Sequence, residues 1–157
     1  MDQTNPKIIC WDANCFIAWF NEEQGRYDVC SAIIEAAQRG ETRLFTSYLT
    51  LAEVCQIPNT YPSEAEDSIA DFFKSRPYII EVAVDWFVCR IARDLMSRFK
   101  LDCRDAIHLA TAIHTKADIF HTYDHDNLLK LNGKIPGYSL TIAEPVYNYQ
   151  TKLDESK

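Results

Sequence analysis

The chain has 157 residues, of which 47% are hydrophobic and 25% are charged, and its formal net charge is −7. This length suits one domain, and the composition is ordinary for a globular protein that buries a real core. The acidic balance, taken alone, argues against nucleic-acid binding. No apolar run approaches the roughly 20 residues that a membrane span requires, so we expect no membrane association.

The polar opening MDQTNPK lacks the apolar region of a secretory signal, so we expect a cytoplasmic protein. Six cysteines are scattered without a C-x-x-C spacing, which favours reduced thiols over disulfides or a zinc site. We expect residues 1–147 to form a single domain and residues 148–157 to form a polar tail.

The first elements predicted along the chain are a strand, two helices and a second strand. Lys7–Trp11 is a short apolar run that predicts a buried strand, and a helix follows it. Apolar residues recur at helical spacing from Tyr27 to Arg39, which predicts the second helix. The stretch TRLFTS, residues 42–47, predicts the second strand.

A third helix is predicted to start after Ser47, whose hydroxyl can cap it. We expect one face of this helix to be buried: Tyr48, Leu51, Ala52 and Cys55. Glu53 then lies beside that buried face.

The second half of the chain continues the alternation of helices and strands. Its predicted elements are a helix from a Ser63–Glu66 capping box to Arg76, a strand at 78–84, a helix at 86–99 capped by Asp85, a helix from an Asp102 cap to about Lys116, and strands at 118–124 and 138–142. Four aromatic residues are most simply core residues: Phe72, Phe73, Trp86 and Phe87.

The alternation predicts the α/β class, as a three-layer α/β/α sandwich with a central parallel sheet of about five strands. Such sheets bind ligands beyond the carboxyl ends of their strands, where the winding order reverses. Asp12 follows the first strand and Asp124 ends the fourth. The two carboxylates would meet if these strands were neighbours at the reversal.

Two further acids are predicted near the same edge of the sheet, because Glu53 follows the second strand and Asp105 lies in the first turn of the helix before the fourth. Crowded carboxylates raise one another's pKa, and a hard cation such as Mg²⁺ or Mn²⁺ relieves the repulsion. Such an ion activates water and stabilises charge on a phosphodiester. The pattern therefore points to metal-dependent phosphodiester chemistry.

Each acid also has an ordinary structural explanation. Asp12 can be a helix N-cap, Asp105 can complement a helix dipole, and Glu53 can be a solvated helix residue. Asp124 and Asp126 can be turn residues. The functional interpretation depends on their common placement at one edge of the predicted sheet.

Four stretches together resemble motifs of the PIN domain family. In chain order they are IICWDANCFIAWF, TSYLTLAEV, LDCRDAIHLATAI and HTYDHDNL. The resemblance implies a Mg²⁺- or Mn²⁺-dependent ribonuclease, as in VapC-type toxins. It implies a catalytic and metal-binding acidic quartet: Asp12, Glu53, Asp105 and Asp124. By the same resemblance Asn14 would orient Asp12, and Thr122 would hydrogen-bond near the metal. Asp126 matches a frequent but less essential position.

For a toxin, the resemblance also implies an RNA substrate, a homodimer and a small antitoxin that covers or enters the site. Two rival functions stay open. One is a metal-dependent phosphohydrolase with Asp12 as nucleophile, although dehalogenase-type phosphatases carry a second aspartate where this chain has Asn14. The other is a non-catalytic interaction module with a PIN-like fold.

Basic residues and a histidine lie close in sequence to Asp105. Arg98, Lys100 and Arg104 are candidates for an RNA-contacting rim, and the alternative is a solvated helix surface with acidic partners. His108 follows Asp105 by one helical turn. A structural histidine is the favoured interpretation, although its side chain can reach the acids.

Overall fold

The computed structural model describes residues 5–147 of the protein. Its strands are β1 Lys7–Trp11, β2 Thr42–Ser47, β3 Ile79–Val82, β4 Ile119–His121 and β5 Thr141–Ala143. Its helices are α1 Ala13–Phe20, α2 Tyr27–Gln38, α3 Leu49–Glu53, α4 Pro62–Lys74, α5 Trp86–Phe99 and α6 Cys103–His114, with a 3₁₀ turn at Leu129–Leu131. No helix within these residues is long and apolar enough to cross a bilayer. The predicted tail at 148–157 lies outside the described residues.

The strands form one parallel sheet in the order β3-β2-β1-β4-β5. The chain winds from β1 towards β3 on one side and continues through β4 to β5 on the other. β1 and β4 are therefore neighbours at the reversal, and their last residues, Trp11 and His121, are paired. This arrangement confirms the predicted fold class and places the ends of β1 and β4 at one crevice.

Strand residues alternate between two buried clusters on opposite faces of the sheet. Cys10 and Phe120 pack in the cluster formed with α5 and α6. Ile9 and Trp11 pack in the cluster formed with α1, α2 and α4. Because both faces are covered by helices, the strands are apolar on both sides, as the sequence predicts for a parallel sheet.

The buried face of α3 differs from the prediction. The four residues expected inside are exposed: Tyr48, Leu51, Ala52 and Cys55. Thr50 and Val54 are buried instead. The reason is a buried hydrogen-bond chain in which Thr50 Oγ1 lies 2.7 Å from Thr46 Oγ1, which itself donates to the carbonyl of Trp11 at 3.0 Å. These bonds turn the polar side of the helix towards the sheet.

Of the three caps predicted in the second half of the chain, two are present and one is not. Asp85 accepts hydrogen bonds from two N–H groups in the first turn of α5, and Asp102 accepts one in the first turn of α6. The capping box predicted at Ser63 is wrong. The helix begins at Pro62, and the preceding Tyr61 makes no side-chain cap. Proline suits the first helical position because that position has no need of an N–H donor.

The aromatic residues predicted to lie in the core divide into two groups. Phe72 and Phe73 are buried, but Trp86 and Phe87 are 66% and 60% exposed. Trp86 and Phe87 lie in the first turn of α5, away from the stripe that this helix buries: Val88, Ala92 and Leu95. The prediction was wrong for this pair because hydrophobicity alone did not identify the buried side of the helix.

Candidate active site

The carboxylate of Asp12 lies where β1 ends, and only 5% of the residue is exposed. Its N–H extends the pairing of β1 with β4 by donating to the carbonyl of His121 at 3.0 Å. Its Oδ1 accepts a hydrogen bond from the N–H of Ala13 at 2.7 Å. Asp12 is therefore the N-cap of α1 and also a buried carboxylate that depends on neighbouring donors.

Asn14 and Thr122 hold the second oxygen of Asp12. Thr122 Oγ1 donates to Asp12 Oδ2 at 2.8 Å, and Asn14 Nδ2 donates to the same oxygen at 3.1 Å. Asn14 also donates to Thr122 Oγ1 and accepts from the N–H of Tyr123, both at 3.1 Å. These bonds join the start of α1 to the segment after β4 and fix the direction of the Asp12 carboxylate.

Glu53 is the last residue of α3 and lies one turn after the buried Thr50. Its Oε1 is 2.5 Å from His108 Nε2. The residue also lines a cavity of about 260 Å³, between α1 and the segment after α3. Its side chain is 23% exposed. Glu53 is therefore a partly exposed carboxylate that lines this cavity and contacts His108.

Asp105 lies half-buried in the first turn of α6. Burial, together with the negative charges of Asp102, Asp124 and Asp12, raises the pKa of Asp105 from its usual 3.8 to about 6. Burial also raises the pKa of Asp12, and the charge of Glu53 adds to that effect. Acids that the sequence places far apart thus interact in pairs: Glu53 with Asp12, Asp12 with Asp105, and Asp105 with Asp124.

Asp124 lies three residues beyond β4 rather than at its last residue. Its Oδ1 accepts hydrogen bonds from the N–H groups of Asp126 and Asn127 at 3.1 and 3.0 Å, as in a turn. Its own N–H donates to Thr122 Oγ1 at 3.0 Å. The carboxylate of Asp124 is thus engaged in its own turn, while Asp126 is exposed and contributes its backbone.

His108 reaches the acids from the buried side of α6. The residue is 1% exposed, and its Nε2 lies 3.7 Å from Asp12 Oδ1 as well as beside Glu53. Burial lowers the pKa of His108, but the hydrogen bond to Glu53 and the charges of the surrounding acids together raise it above its usual value. Sequence reasoning favoured a structural role. The signal in the sequence was that His108 follows Asp105 by three residues, a spacing that puts both side chains on one face of a helix.

The histidines beside Asp124 in the sequence are engaged with other residues. His121 Nδ1 accepts a hydrogen bond from Trp11 Nε1 at 3.1 Å, and burial lowers the pKa of His121 to about 4. His125 Nε2 lies 2.6 Å from Glu144. Of the histidines near the acids, His108 is therefore the one whose contacts belong to the candidate site.

Comparison with known families agrees with this geometry. A model of the PIN domain family matches residues 9–134. The chain belongs to the PIN domain family. The matched region contains all four acids, both side chains that hold Asp12, and His108. No curated protein sequence matches the chain.

Solved structures of toxin–antitoxin proteins share the fold of this PIN domain. VapBC2 from Rickettsia felis aligns with a TM-score of 0.63 and 18% identity over 86% of this chain and 98% of that chain. A toxin–antitoxin complex from Klebsiella pneumoniae aligns with a TM-score of 0.61 and 21% identity over 89% of this chain and 99% of that chain. Mycobacterium tuberculosis VapC20, a toxin that cleaves the sarcin–ricin loop, aligns with a TM-score of 0.59 and 16% identity over 75% of this chain and 91% of that chain. At these identities the likeness concerns the fold.

The donor atoms of this PIN domain suit a hard divalent cation. They are carboxylate oxygens, and burial together with the neighbouring negative charges raises the pKa of Asp105, so a cation would stabilise its charged form. Within residues 5–147, no group of three or more His, Cys, Asp or Glu side chains is already placed to hold a metal ion. Mg²⁺ needs only one or two carboxylates because waters complete its coordination shell. The side chains present therefore fit such an ion.

The candidate basic rim lies at the turn between α5 and α6. Lys100 ends α5 in the left-handed conformation, with φ at 55°, and Arg104 follows in the first turn of α6. Both are exposed. Arg98 forms an exposed ion pair with Asp94 at 3.0 Å, as expected for a solvated helix surface. Lys100 and Arg104 are thus close in sequence to Asp105, whereas Arg98 already has an acidic partner.

Proposed function

We propose that this PIN domain is a Mg²⁺- or Mn²⁺-dependent endoribonuclease that hydrolyses phosphodiester bonds in RNA. The observation that carries the proposal is the meeting of acids from distant segments at the β1–β4 reversal. The proposed catalytic and metal-binding residues are Asp12, Glu53, Asp105 and Asp124. Membership of the PIN domain family supports the same reaction class.

We propose that the protein preorganises this site before the substrate binds. Asn14 and Thr122 keep Asp12 in one orientation, so little reordering of that carboxylate is needed during the reaction. Asp126 supports the turn of Asp124 through its N–H. When bound by the acidic quartet, Mg²⁺ or Mn²⁺ would supply positive charge that activates water and stabilises the phosphate.

Lys100 and Arg104 are proposed to contact the RNA backbone next to the acids, and Arg98 to contribute less because of its ion pair. Positive side chains there would offset the net charge of −7 locally. Replacing both Lys100 and Arg104 by Ser is expected to raise KM for RNA and flatten its salt dependence.

We also propose that the protein is the toxin of a toxin–antitoxin pair in the cytoplasm. Support comes from similar structures that are toxin–antitoxin complexes, including FitAB bound to a DNA fragment. A small antitoxin would bind at the site, and the toxin alone would be a homodimer. Light scattering on the purified chain, whose mass is 18.1 kDa, tests the dimer. Removal of residues 148–157 is expected to leave activity intact if residues 1–147 form the domain.

The decisive experiment compares RNA cleavage by the wild type and two matched variants in Mn²⁺. Asp12→Asn keeps the size of the side chain and removes its charge, so we expect cleavage to fall by at least about 100-fold. Asp67→Asn makes the same change on the exposed surface of α4 and is expected to cleave like the wild type. Structured and single-stranded RNAs are offered, and EDTA is expected to stop the reaction.

Three results would reject this assignment. Cleavage that survives Asp12→Asn would remove the acidic quartet from the mechanism. Release of phosphate from small phosphomonoesters without RNA cleavage would favour the phosphohydrolase with Asp12 as nucleophile. Mn²⁺ binding without turnover on either substrate would favour the non-catalytic interaction module.

A further inference from the structure

Glu53 is weakly restrained for a proposed metal-binding residue. It ends a helix of only five residues and lines the cavity between α1 and the segment after α3. Within residues 5–147 its carboxylate has a single hydrogen-bond partner, His108 Nε2. Without that partner, the cavity would be the more favourable place for the carboxylate, because water solvates a free carboxylate well. Something must therefore keep Glu53 on the side of Asp12.

His108 is fixed by its surroundings. It lies within the 12 residues of α6, on a side of the helix where Leu109 and Ala112 are fully buried. Its Nε2 contacts Glu53 and lies 3.7 Å from Asp12 Oδ1. A buried ring held by a helix has few positions available. The imidazole is therefore a donor in a fixed position, and its Nε2 is near both Glu53 and Asp12.

We propose that His108 is a positioning residue whose Nε2–H holds the Glu53 carboxylate beside Asp12 and out of the neighbouring cavity. The inference rests on the proposed metal-dependent function and adds a residue outside the acidic quartet. It requires only a hydrogen on Nε2. His108 Nδ1 is buried and has no hydrogen-bond partner among the described residues, so Nε2 carries the contact of this ring.

Three substitutions of His108 separate the hydrogen bond from the packing. His108→Gln keeps an N–H donor about as far along the side chain as Nε2. His108→Asn carries its donor nearer to the backbone, and His108→Leu has none. Calorimetric titration with Mn²⁺ measures affinity, and thermal melting in EDTA checks the fold. We expect Leu and Asn to weaken Mn²⁺ binding by about 10- to 100-fold and Gln to stay within about threefold of the wild type.

A double-mutant cycle tests whether His108 acts through Glu53. Glu53→Ala alone is expected to weaken Mn²⁺ binding. In that background, His108→Leu is expected to have no further effect, because the carboxylate that it positions is gone. A general loss of packing would instead weaken binding in both backgrounds.

The outcomes are distinguishable from failure of the proposed function. Wild-type Mn²⁺ affinity in a folded His108→Leu protein, or additive effects in the cycle, would overturn the positioning role and leave the nuclease proposal intact. Absence of Mn²⁺ binding by the wild type would overturn both. If His108→Leu does not fold, equal affinities for the Gln and Asn variants would overturn the inference.

Discussion

Asp12 and Asp105 carry the same kind of charge in different surroundings. Three hydrogen bonds reach the oxygens of Asp12 and favour its charged form, although burial still raises the pKa of that residue. No described residue donates a hydrogen bond to the Asp105 carboxylate. Its pKa therefore responds to burial and to the neighbouring acids. Without a cation, burial and then the neighbouring acids disfavour the charged form of Asp105, so its ionisation weakens the fold.

Replacing Asp105 by Asn is expected to stabilise the metal-free protein above pH 6. The folded protein holds a proton up to about pH 6, whereas the unfolded chain releases it near 3.8, so stability falls as pH rises between these values. We expect a gain of about 1 kcal/mol at high pH, after allowance for solvent around this half-buried group, and little gain at pH 4 or below. Urea unfolding of both proteins in EDTA at low and high pH measures this gain in stability. An equal gain at both pH values would contradict the raised pKa of Asp105.

Thr122→Val tests the support of Asp12. The substitution keeps the shape of a fully buried side chain and removes the donor to Asp12 Oδ2. Because that bond reaches a charged group, we expect the free energy of unfolding to fall by about 2 kcal/mol, together with a loss of RNA cleavage. Thr141→Val, on an exposed residue of β5, is the matched control. Unchanged urea stability of the Thr122 variant would remove the proposed role.

At the scale of elements, α3 shows how polar contacts can set the face of a short helix. Five residues offer too little apolar area to orient a helix by burial alone. The hydroxyls of Thr46 and Thr50 orient it through buried hydrogen bonds that reach the end of β1. The same bonds bring Glu53 to the crevice. The position of the second acid therefore depends on residues that have no catalytic chemistry.

Thr50→Val is expected to lower the free energy of unfolding by about 1 kcal/mol, because it leaves Thr46 Oγ1 without its partner at 2.7 Å. Leu51→Ala is the comparison, because helical spacing predicts that the adjacent Leu51 is buried. Since Leu51 is 37% exposed, we expect a change within about 0.5 kcal/mol. Chemical denaturation of both variants measures the difference. The reverse order of effects would restore the original prediction for the buried face of α3.

At the scale of the molecule, the winding order makes one crevice out of separate segments. β1 and β4 are adjacent, although about a hundred residues separate them, and α3 and α6 reach the same edge of the sheet. Folding must bring several negative charges together there. A cation that binds only the folded protein would therefore stabilise the whole domain.

Mn²⁺ is expected to raise the melting temperature of the wild type. At a metal concentration about 100 times the Kd, the stabilisation is about 2.7 kcal/mol, and a protein of this size gains about 2–4 °C for each kcal/mol. Asp12→Asn is expected to lose most of this shift, whereas Asp67→Asn retains it. Melting curves in Mn²⁺ and in EDTA measure the effect. An equal shift in all three proteins would indicate metal binding elsewhere.

The sequence by itself determined the class of the fold, most element positions and the resemblance to PIN domains. Apolar strands, helical spacing and the caps at Asp85 and Asp102 are local signals, and each acts within a few residues of the chain. The sequence did not establish that β1 and β4 are neighbours. Their adjacency was only the condition under which Asp12 and Asp124 would meet. Local pattern also failed to predict where α4 starts. The helix begins at Pro62 and does not use the expected capping box at Ser63.

Only the tertiary structure decided which faces are buried and which side chains meet. It turned Thr50 inward against the apolar pattern, left Trp86 in solvent, and placed His108 between Glu53 and Asp12. None of these follows from spacing along the chain, because each depends on a partner supplied by a distant segment. Burial and hydrogen bonding are properties of the packed molecule, whereas propensity and periodicity are properties of the chain.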